Sequence, residues 1–248
     1  DWPVQVLNRV AVEIGDGIHA TPNYATNGEY FFINGNNLDN GNIIVTEETK
    51  TVDYSEFKKH QKVLSDKSIL MSINGTIGNL ALYCSENVIL GKSAAYLNLS
   101  NDIEKMFAYY VLQTEPVRHQ FFDGLTGTTI KNLGLGTIRN TFIPLPPLPE
   151  QTAIANVLSD VDSLITSLDK VIAKKKDIKQ GAMQELLTGK RRLPGFSGEW
   201  VEKLFGEIVL IRKQKADPRT FNNNAFCIGL ENIESSTGRL IVNNDTSI

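Results

Sequence analysis

The sequence predicts an α+β fold in three parts. A mixed α/β domain covers residues 1–147, a proline-led long helix of coiled-coil type covers 148–190, and a linker with the N-terminal part of a second, similar domain covers 191–248. Three observations predict this. Short runs of β-forming residues alternate with Gly/Asn-rich turns in the first part. Apolar residues then recur at heptad spacing from Ile154 to Ile172. A block near the start of the chain returns at a constant offset of 195 residues.

In the first part, strands are expected at Tyr30-Phe31-Phe32-Ile33, Ile43-Ile44-Val45, Ser68-Ile69-Leu70-Met71-Ser72-Ile73, Leu80-Ala81-Leu82-Tyr83 and Ala95-Tyr96-Leu97-Asn98-Leu99. Each is rich in branched or aromatic residues that suit a pleated surface. Asn34-Gly35-Asn36-Asn37 and Asn74-Gly75-Thr76 supply turns between them. A short helix is expected over 54–62, and a longer one over 101–122 with Asn101 or Asp102 as its cap and Pro116 breaking or kinking it. Ile143-Pro144-Leu145-Pro146-Pro147-Leu148-Pro149 is then stiff and extended, because proline fixes φ and disfavours helix just before it.

From about Glu150 to Thr188 the pattern is that of one helix. Ile154, Leu158, Val161, Ile165, Leu168 and Ile172 follow spacings of 4-3-4-3-4, a heptad seam. Val157, Leu164, Val171 and Ile178 widen the stripe, Lys175 and Lys179 interrupt it, and Gly189 is a natural stop. At about 1.5 Å per residue such a rod is ~58 Å long. A stripe of this length must pack on another helix or domain.

After a turn-rich linker, the beginning is echoed. Phe31-x-Ile33-x-x-x-Asn37-Leu38 matches Phe226-x-Ile228-x-x-x-Asn232-Ile233, and Gly41-x-Ile43-Ile44 matches Gly238-x-Leu240-Ile241 at an offset of 197. Trp2 and Trp200 precede the two blocks at comparable places. The chain therefore carries a domain-sized repeat. The second copy runs only to Ile248, so residues 201–248 are expected to be weakly packed unless a neighbour completes them.

Composition narrows the function. The chain has 248 residues, 41% hydrophobic and 21% charged, as in ordinary globular proteins. No apolar run approaches the ~20 residues that span a bilayer, and no secretory signal is evident, so a cytoplasmic protein is expected. Cys84 and Cys227 show no disulfide or zinc spacing and are expected to be small buried apolar residues. A net charge of −3 disfavours indiscriminate phosphate binding. Eight basic residues against two acidic ones lie within 170–192, however, so any nucleic-acid contact works through local patches.

The flanks of the long helix carry the most specific motifs. Pro144-Leu145-Pro146-Pro147-Leu148-Pro149-Glu150-Gln151-x-x-Ile154-Ala155 resembles the lead-in to the first long helix of the DNA specificity subunits of type I restriction-modification systems. Gly181-Ala182-Met183-Gln184-Glu185-Leu186-Leu187-Thr188-Gly189-Lys190 resembles the end of that helix. Leu193-Pro194-Gly195-Phe196-Ser197-Gly198-Glu199-Trp200 resembles the approach to the second target-recognition domain. Asp16-Gly17-Ile18-His19-Ala20-Thr21-Pro22 and Gly75-Thr76-Ile77-Gly78 resemble weaker signatures of the same family.

The resemblance implies two target-recognition domains, each reading half of a bipartite site in double-stranded DNA. It implies two helices that pair antiparallel, set the unread spacing and dock methyltransferase subunits, with motor-nuclease subunits joining the complex. It further implies that this chain is not an enzyme and holds no cofactor. S-adenosylmethionine and ATP belong to the partner subunits. With respect to that pattern the sequence is truncated within the second recognition domain, and two copies associating through the long helix would restore the pseudo-symmetry.

Specific reading needs side chains at base edges and others that grip phosphate. In residues 19–24 the candidates are His19, Thr21, Asn23, whose amide type pairs with adenine, and Tyr24. Lys92 and Ser93 form a second group, and Thr128, Thr129, Lys131 and Asn132 a third. Lys58, Lys59, His60 and Lys62 are candidate phosphate contacts, although a charged helix face is commonly just solvated.

Catalytic signatures are weak by comparison. Gly75-x-x-Gly78 lacks the Gly-Lys-Ser/Thr ending of a phosphate loop. Thr21-Pro22-Asn23-Tyr24 lacks the leading amide or carboxylate and second proline of an adenine methyltransferase motif, and His19, His60 and His119 have no metal or triad spacing. One rival reading is a coiled-coil adaptor that binds no DNA; sequence-preferring, salt-dependent DNA binding separates the two. A second is a methyltransferase acting on its own, which predicts S-adenosylmethionine binding by the isolated chain.

Overall fold

The computed structural model describes residues 2–211 and 228–241. Phe226 and Cys227 lie outside the described residues. The chain divides into two compact units, Asp1–Asp177 and Ile178–Ile248.

The first unit opens with β1 (Val4–Val6), a one-turn α1 (Leu7–Val10) and β2 (Ala11–Asp16). Next come β3 (Tyr30–Ile33), the hairpin β4 (Leu38–Asp39) and β5 (Asn42–Ile43), β6 (Thr51–Val52) and α2 (Tyr54–His60). The centre of the domain is β7 (Ser68–Ser72), β8 (Leu80–Leu82), β9 (Val88–Leu90) and β10 (Ala94–Leu99). It closes with α3 (Lys105–Val111), α4 (Glu115–Asp123), the hairpin β11 (Leu125–Thr126) and β12 (Asn132–Leu133), α5 (Leu135–Asn140) and β13 (Phe142–Pro144). The long helix α6 spans Leu148–Leu186.

A four-stranded antiparallel sheet, ordered β2-β10-β7-β8, organises the domain. Leu97 pairs with Ile14 on one side and Ile69 on the other. Strand side chains alternate between faces, and here both faces are covered. Ile69, Met71, Ala95, Leu97 and Leu99 join the larger core with Phe107 and Phe121 of α3 and α4. Leu70, Ala94 and Tyr96 join a smaller core with Ile33 of β3 and Leu90 of β9. Burial on both faces explains the unbroken apolar run Ile69-Leu70-Met71. The buried hydroxyls at its ends are satisfied: Ser68 donates to Asn98 Oδ1 at 2.6 Å, and Ser72 accepts the Asn79 N–H at 2.9 Å.

Several expectations need correction. The helix expected over 101–122 is divided just before Pro116, as the proline predicts, but it begins later than expected. Glu104, rather than Asn101 or Asp102, caps α3 by accepting the Phe107 N–H at 2.6 Å. Pro116 lies in the first turn of α4, where its missing N–H costs nothing. Pro149 likewise sits inside the first turn of α6, so the extended proline segment ends two residues earlier than expected. Cys84 is exposed rather than buried, in a turn where Ser85 has φ of 73°. β1 and β13 pair antiparallel and tie the first strand to the segment that leads into α6.

The repeat is visible in hydrogen bonds. Asn37 Oδ1 accepts the Asn34 N–H at 3.0 Å and its Nδ2 donates to Ile44 O at 2.9 Å. Asn232 Oδ1 accepts the Gly229 N–H at 2.9 Å and its Nδ2 donates to Ile241 O at 3.2 Å. In both copies the asparagine closes a single 3₁₀ turn, Gly35–Asn37 or Leu230–Asn232. Gly41 and Gly238 take positive φ at 81° and 67°, which a side chain would strain. A further one-turn helix, α7 (Phe205–Ile208), follows Trp200 as α1 follows Trp2. Apart from Asn232, the described residues past 200 leave their side chains exposed or half-buried.

Candidate nucleic-acid interface

Four segments far apart in sequence are joined by main-chain hydrogen bonds. The Ile18 N–H donates to Leu90 O at 2.7 Å and the Gly17 N–H to Ala94 O at 3.1 Å, which places residues 19–24 beside 91–94. Gly17 permits this approach: a Cβ there would lie 2.1 Å from the Leu90 carbonyl oxygen. The Ile73 N–H donates to Ser93 O at 2.9 Å, and Asn74 Nδ2 to Lys92 O at 3.2 Å. Residues 74–78 in turn meet the β11–β12 hairpin, where the Gly75 N–H donates to Lys131 O at 3.4 Å and the Leu133 N–H to Ile73 O at 2.8 Å. Asn74 and Asn132 form an isolated β-bridge.

The three sequence-predicted groups therefore lie along one loop edge. His19, Thr21, Tyr24, Lys92, Thr128, Thr129 and Lys131 are exposed on it. His19 Nε2 is 2.9 Å from Asp16 Oδ2, and the Tyr24 ring leans on Phe32 at a centroid distance of 5.9 Å. Three other candidates are engaged within the protein. The Ser93 hydroxyl accepts the Gly35 N–H at 2.9 Å and donates to Asn34 Oδ1 at 3.0 Å. Asn132 is half-buried, with its Nδ2 3.5 Å from Thr126 Oγ1. Asn23 donates its backbone N–H and its Nδ2 to the two carboxylate oxygens of Glu56, each at 3.2 Å.

Two residues of this region escaped the sequence reading. Ile130, at the tip of the hairpin, is 68% exposed, an apolar side chain suited to contact with a thymine methyl group. Glu56 is a buried carboxylate on α2, and a charged residue on a short helix gives no sequence signal of that kind. The four basic candidates of 58–62 divide. Lys58 lies over Tyr54 and Lys62 over Tyr96, at 5.7 and 6.0 Å from the ring centroids, and His60 Nε2 is 3.1 Å from Glu56 Oε1. Lys59 is exposed.

The Asn23 N–H holds the Glu56 carboxyl below its ordinary range against the upward push of burial, helped by the Asn23 amide, Lys59 and His60. Asp53, the cap of α2, is held down by the Glu56 N–H and the Ser55 hydroxyl. Both folded-state values are lowered, so their contribution to stability is complete above the ordinary carboxylate range, about pH 4. It is lost as pH falls through the lowered folded values. Melting curves recorded from about pH 6 down to about pH 3 check this. Glu56→Gln is expected to lose less of its melting temperature on acidification than wild type, and equal losses would refute the assignment.

Among the described residues, no three His, Cys, Asp or Glu side chains group as a metal site, and no helix is long and apolar enough to cross a membrane.

The chain is similar to several known proteins. The specificity subunit of the type I restriction enzyme MjaVIII from Methanocaldococcus jannaschii is 30% identical over 128 residues, 51% of this chain and 29% of that protein. The specificity subunit of EcoBI from Escherichia coli is 28% identical over 130 residues, 50% of this chain and 27% of that protein. The S subunit of a type I restriction-modification system from M. genitalium superposes with a TM-score of 0.50 at 21% identity, covering 75% of this chain and 45% of that one. The HsdS subunit from Thermoanaerobacter tengcongensis gives 0.50 at 22%, covering 74% and 44%. The chain thus spans less than half the length of these relatives, and the two structures establish likeness of fold. The family described as the type I restriction modification DNA specificity domain matches residues 12–180, from β2 through most of α6, and the chain belongs to that family.

Proposed function

We propose that this chain reads one half of a bipartite DNA target through the loop edge and uses α6 as spacer and docking rod. The observation that carries this reading is the convergence of residues 19–24, 74–78, 91–94 and 124–132 on one edge. Loops held by a rigid sheet, rich in Thr, Lys and small residues, can approach a duplex closely and offer donors to phosphate and bases. His19, Thr21, Tyr24, Lys92, Thr128, Thr129 and Lys131 make the contacts, while Asn23, Ser93 and Asn132 hold the loops in register. Catalysis lies in the partners: methyltransferase subunits that use S-adenosylmethionine and motor-nuclease subunits driven by ATP. The complex works where the DNA is, in the cytoplasm.

The test is a methylation map. The chain is co-expressed with its cognate methyltransferase subunit, and methylated adenines are located by single-molecule sequencing. Methylation at a two-part motif with an unread gap is the expected result, and a palindromic motif would identify a symmetric pair of chains. A complex that forms and methylates no motif would refute the reading role. Lys92→Ala and Lys131→Ala are each expected to weaken binding to all duplexes alike. Removing one phosphate-gripping lysine lowers the slope of log affinity against log salt by about 0.9. An unchanged slope would remove that lysine from the interface.

A further inference from the structure

We infer that Glu56 is a positioning residue for DNA reading: it clamps residues 19–24 to α2 through Asn23, so that His19, Thr21 and Tyr24 are presented in a fixed geometry. The inference rests on the reading of the loop edge as the DNA interface and adds to it the element that sets the loop's shape.

The geometry is that of a two-point clamp. Glu56 is only 6% exposed, and each of its carboxylate oxygens accepts one donor from the same residue, the Asn23 N–H on Oε1 and the Asn23 Nδ2 on Oε2. Two bonds to one residue fix its backbone and its side chain together. Pro22, the preceding residue, is buried and holds its own φ. The clamp is itself anchored. Asp53 Oδ1 accepts the Glu56 N–H at 2.8 Å, and Phe57 of the same helix stacks on Tyr30 of β3 with ring centroids 4.1 Å apart. The loop is therefore tied to the sheet through α2 as well as through the Ile18–Leu90 bond. Asn23 donates to Glu56 twice, and His60 Nε2 lies 3.1 Å from Oε1, so the carboxylate gathers donors from the loop and from its own helix. Glutamine at 56 keeps both contacts to Asn23 once the Asn23 amide turns over, whereas leucine keeps neither.

That difference supplies the test. The full chain is assembled with its methyltransferase subunit, and binding to the mapped target duplex is compared with binding to an unrelated duplex. Wild type must show a preference; if it shows none, the interface reading has failed and the clamp is not at issue. Given a preference, Glu56→Leu is expected to lower it by roughly tenfold while binding to the unrelated duplex and its salt dependence stay the same. Glu56→Gln, which can keep both contacts with the Asn23 amide turned over, is expected to retain most of the preference. A Glu56→Leu chain that melts near wild type and reads as well as wild type overturns the inference. So does a Glu56→Gln chain that melts like wild type yet has no preference, since the clamp would then be intact and the reading lost. A measurement without mutation guards against variants that fail to fold. Hydrogen exchange on the wild-type complex before DNA is added should find the Asn23 amide protected, and free exchange there refutes the clamp.

Discussion

Gln151→Ala is expected to destabilise the first unit by about 3 kcal/mol, because one side chain satisfies three main-chain groups at the junction of helix and domain. Gln151 is 1% exposed. Its Oε1 accepts the Glu104 N–H at 2.9 Å, and its Nε2 donates to Pro146 O at 2.8 Å and Asp102 O at 3.2 Å. These bonds join the first turn of α6 to the cap of α3 and to the proline segment before the helix. Ala155 and Ile154, one turn on, pack against the larger core. Alanine removes the amide, leaves its partners unpaired and opens a small cavity. For a unit of this size the loss corresponds to a fall in melting temperature of roughly 10 °C. Melting followed by circular dichroism checks it, and a variant that melts within a degree of wild type would refute the junction.

Gln151→Glu sharpens the point through its pH dependence. An ionised carboxylate accepts but cannot donate, so it would face the carbonyls of Pro146 and Asp102 with the wrong polarity. Its folded-state pKa is raised, so the penalty is full at neutral pH and relieved as acidification protonates the group. The sign is opposite to that of Glu56, whose contribution disappears in acid. Melting points that rise on mild acidification for Gln151→Glu and fall on stronger acidification for wild type would separate the two carboxyl environments.

The junction also shows why some of the molecule was legible in the sequence. Gln151, Ile154 and Ala155 belong to the motif by which the chain resembles its family, and in the structure they are the residues that bind helix to domain. Strands β7 and β10 were legible because residues buried on both faces write a continuous apolar run. The repeat was legible because Asn37 and Asn232 each serve a turn that only that side chain and a nearby glycine complete. By contrast, β1 and β13 are three residues long and exist by pairing across the whole domain. β9 is equally short and takes its place from a parallel partner, β3. The break near Pro116 was legible from the proline, but the start of α3 was not, because Asn101 and Asp102 are the more usual cap types and Glu104 takes the role. Local pattern cannot report such non-local pairing. The loop edge follows the same rule: each loop was recognisable as a loop, but the bonds from Gly75 to Lys131 and from Asn74 to Lys92 join residues that no spacing relates. Ser93 and Asn23 read as free polar groups because their partners, Asn34 and Glu56, lie 59 and 33 residues away.

Leu168→Glu with Ile172→Glu is expected to leave the melting temperature of the chain almost unchanged and to abolish the association proposed for α6. Leu158, Val161, Ile165, Leu168 and Ile172 are 38%, 48%, 51%, 52% and 51% exposed, although they repeat at the spacing of a paired helix. Substitutions at such exposed sites usually change stability by less than about 0.5 kcal/mol, and glutamate is a good helix former. The cost falls on the assembled state. Fully burying a Leu or Ile side chain contributes about 1.5–3 kcal/mol, and completing the burial of a half-exposed one about half of that. Five such residues supply roughly 4–7 kcal/mol, about three to five powers of ten in affinity. Two carboxylates in the seam forfeit their share and add desolvation of unpaired charge. Sedimentation of the chain alone, and capture of its cognate methyltransferase subunit, distinguish a second copy from a partner subunit as the occupant. If the double variant sedimented and captured as wild type does, the stripe would not be the contact, and its heptad spacing would need another cause.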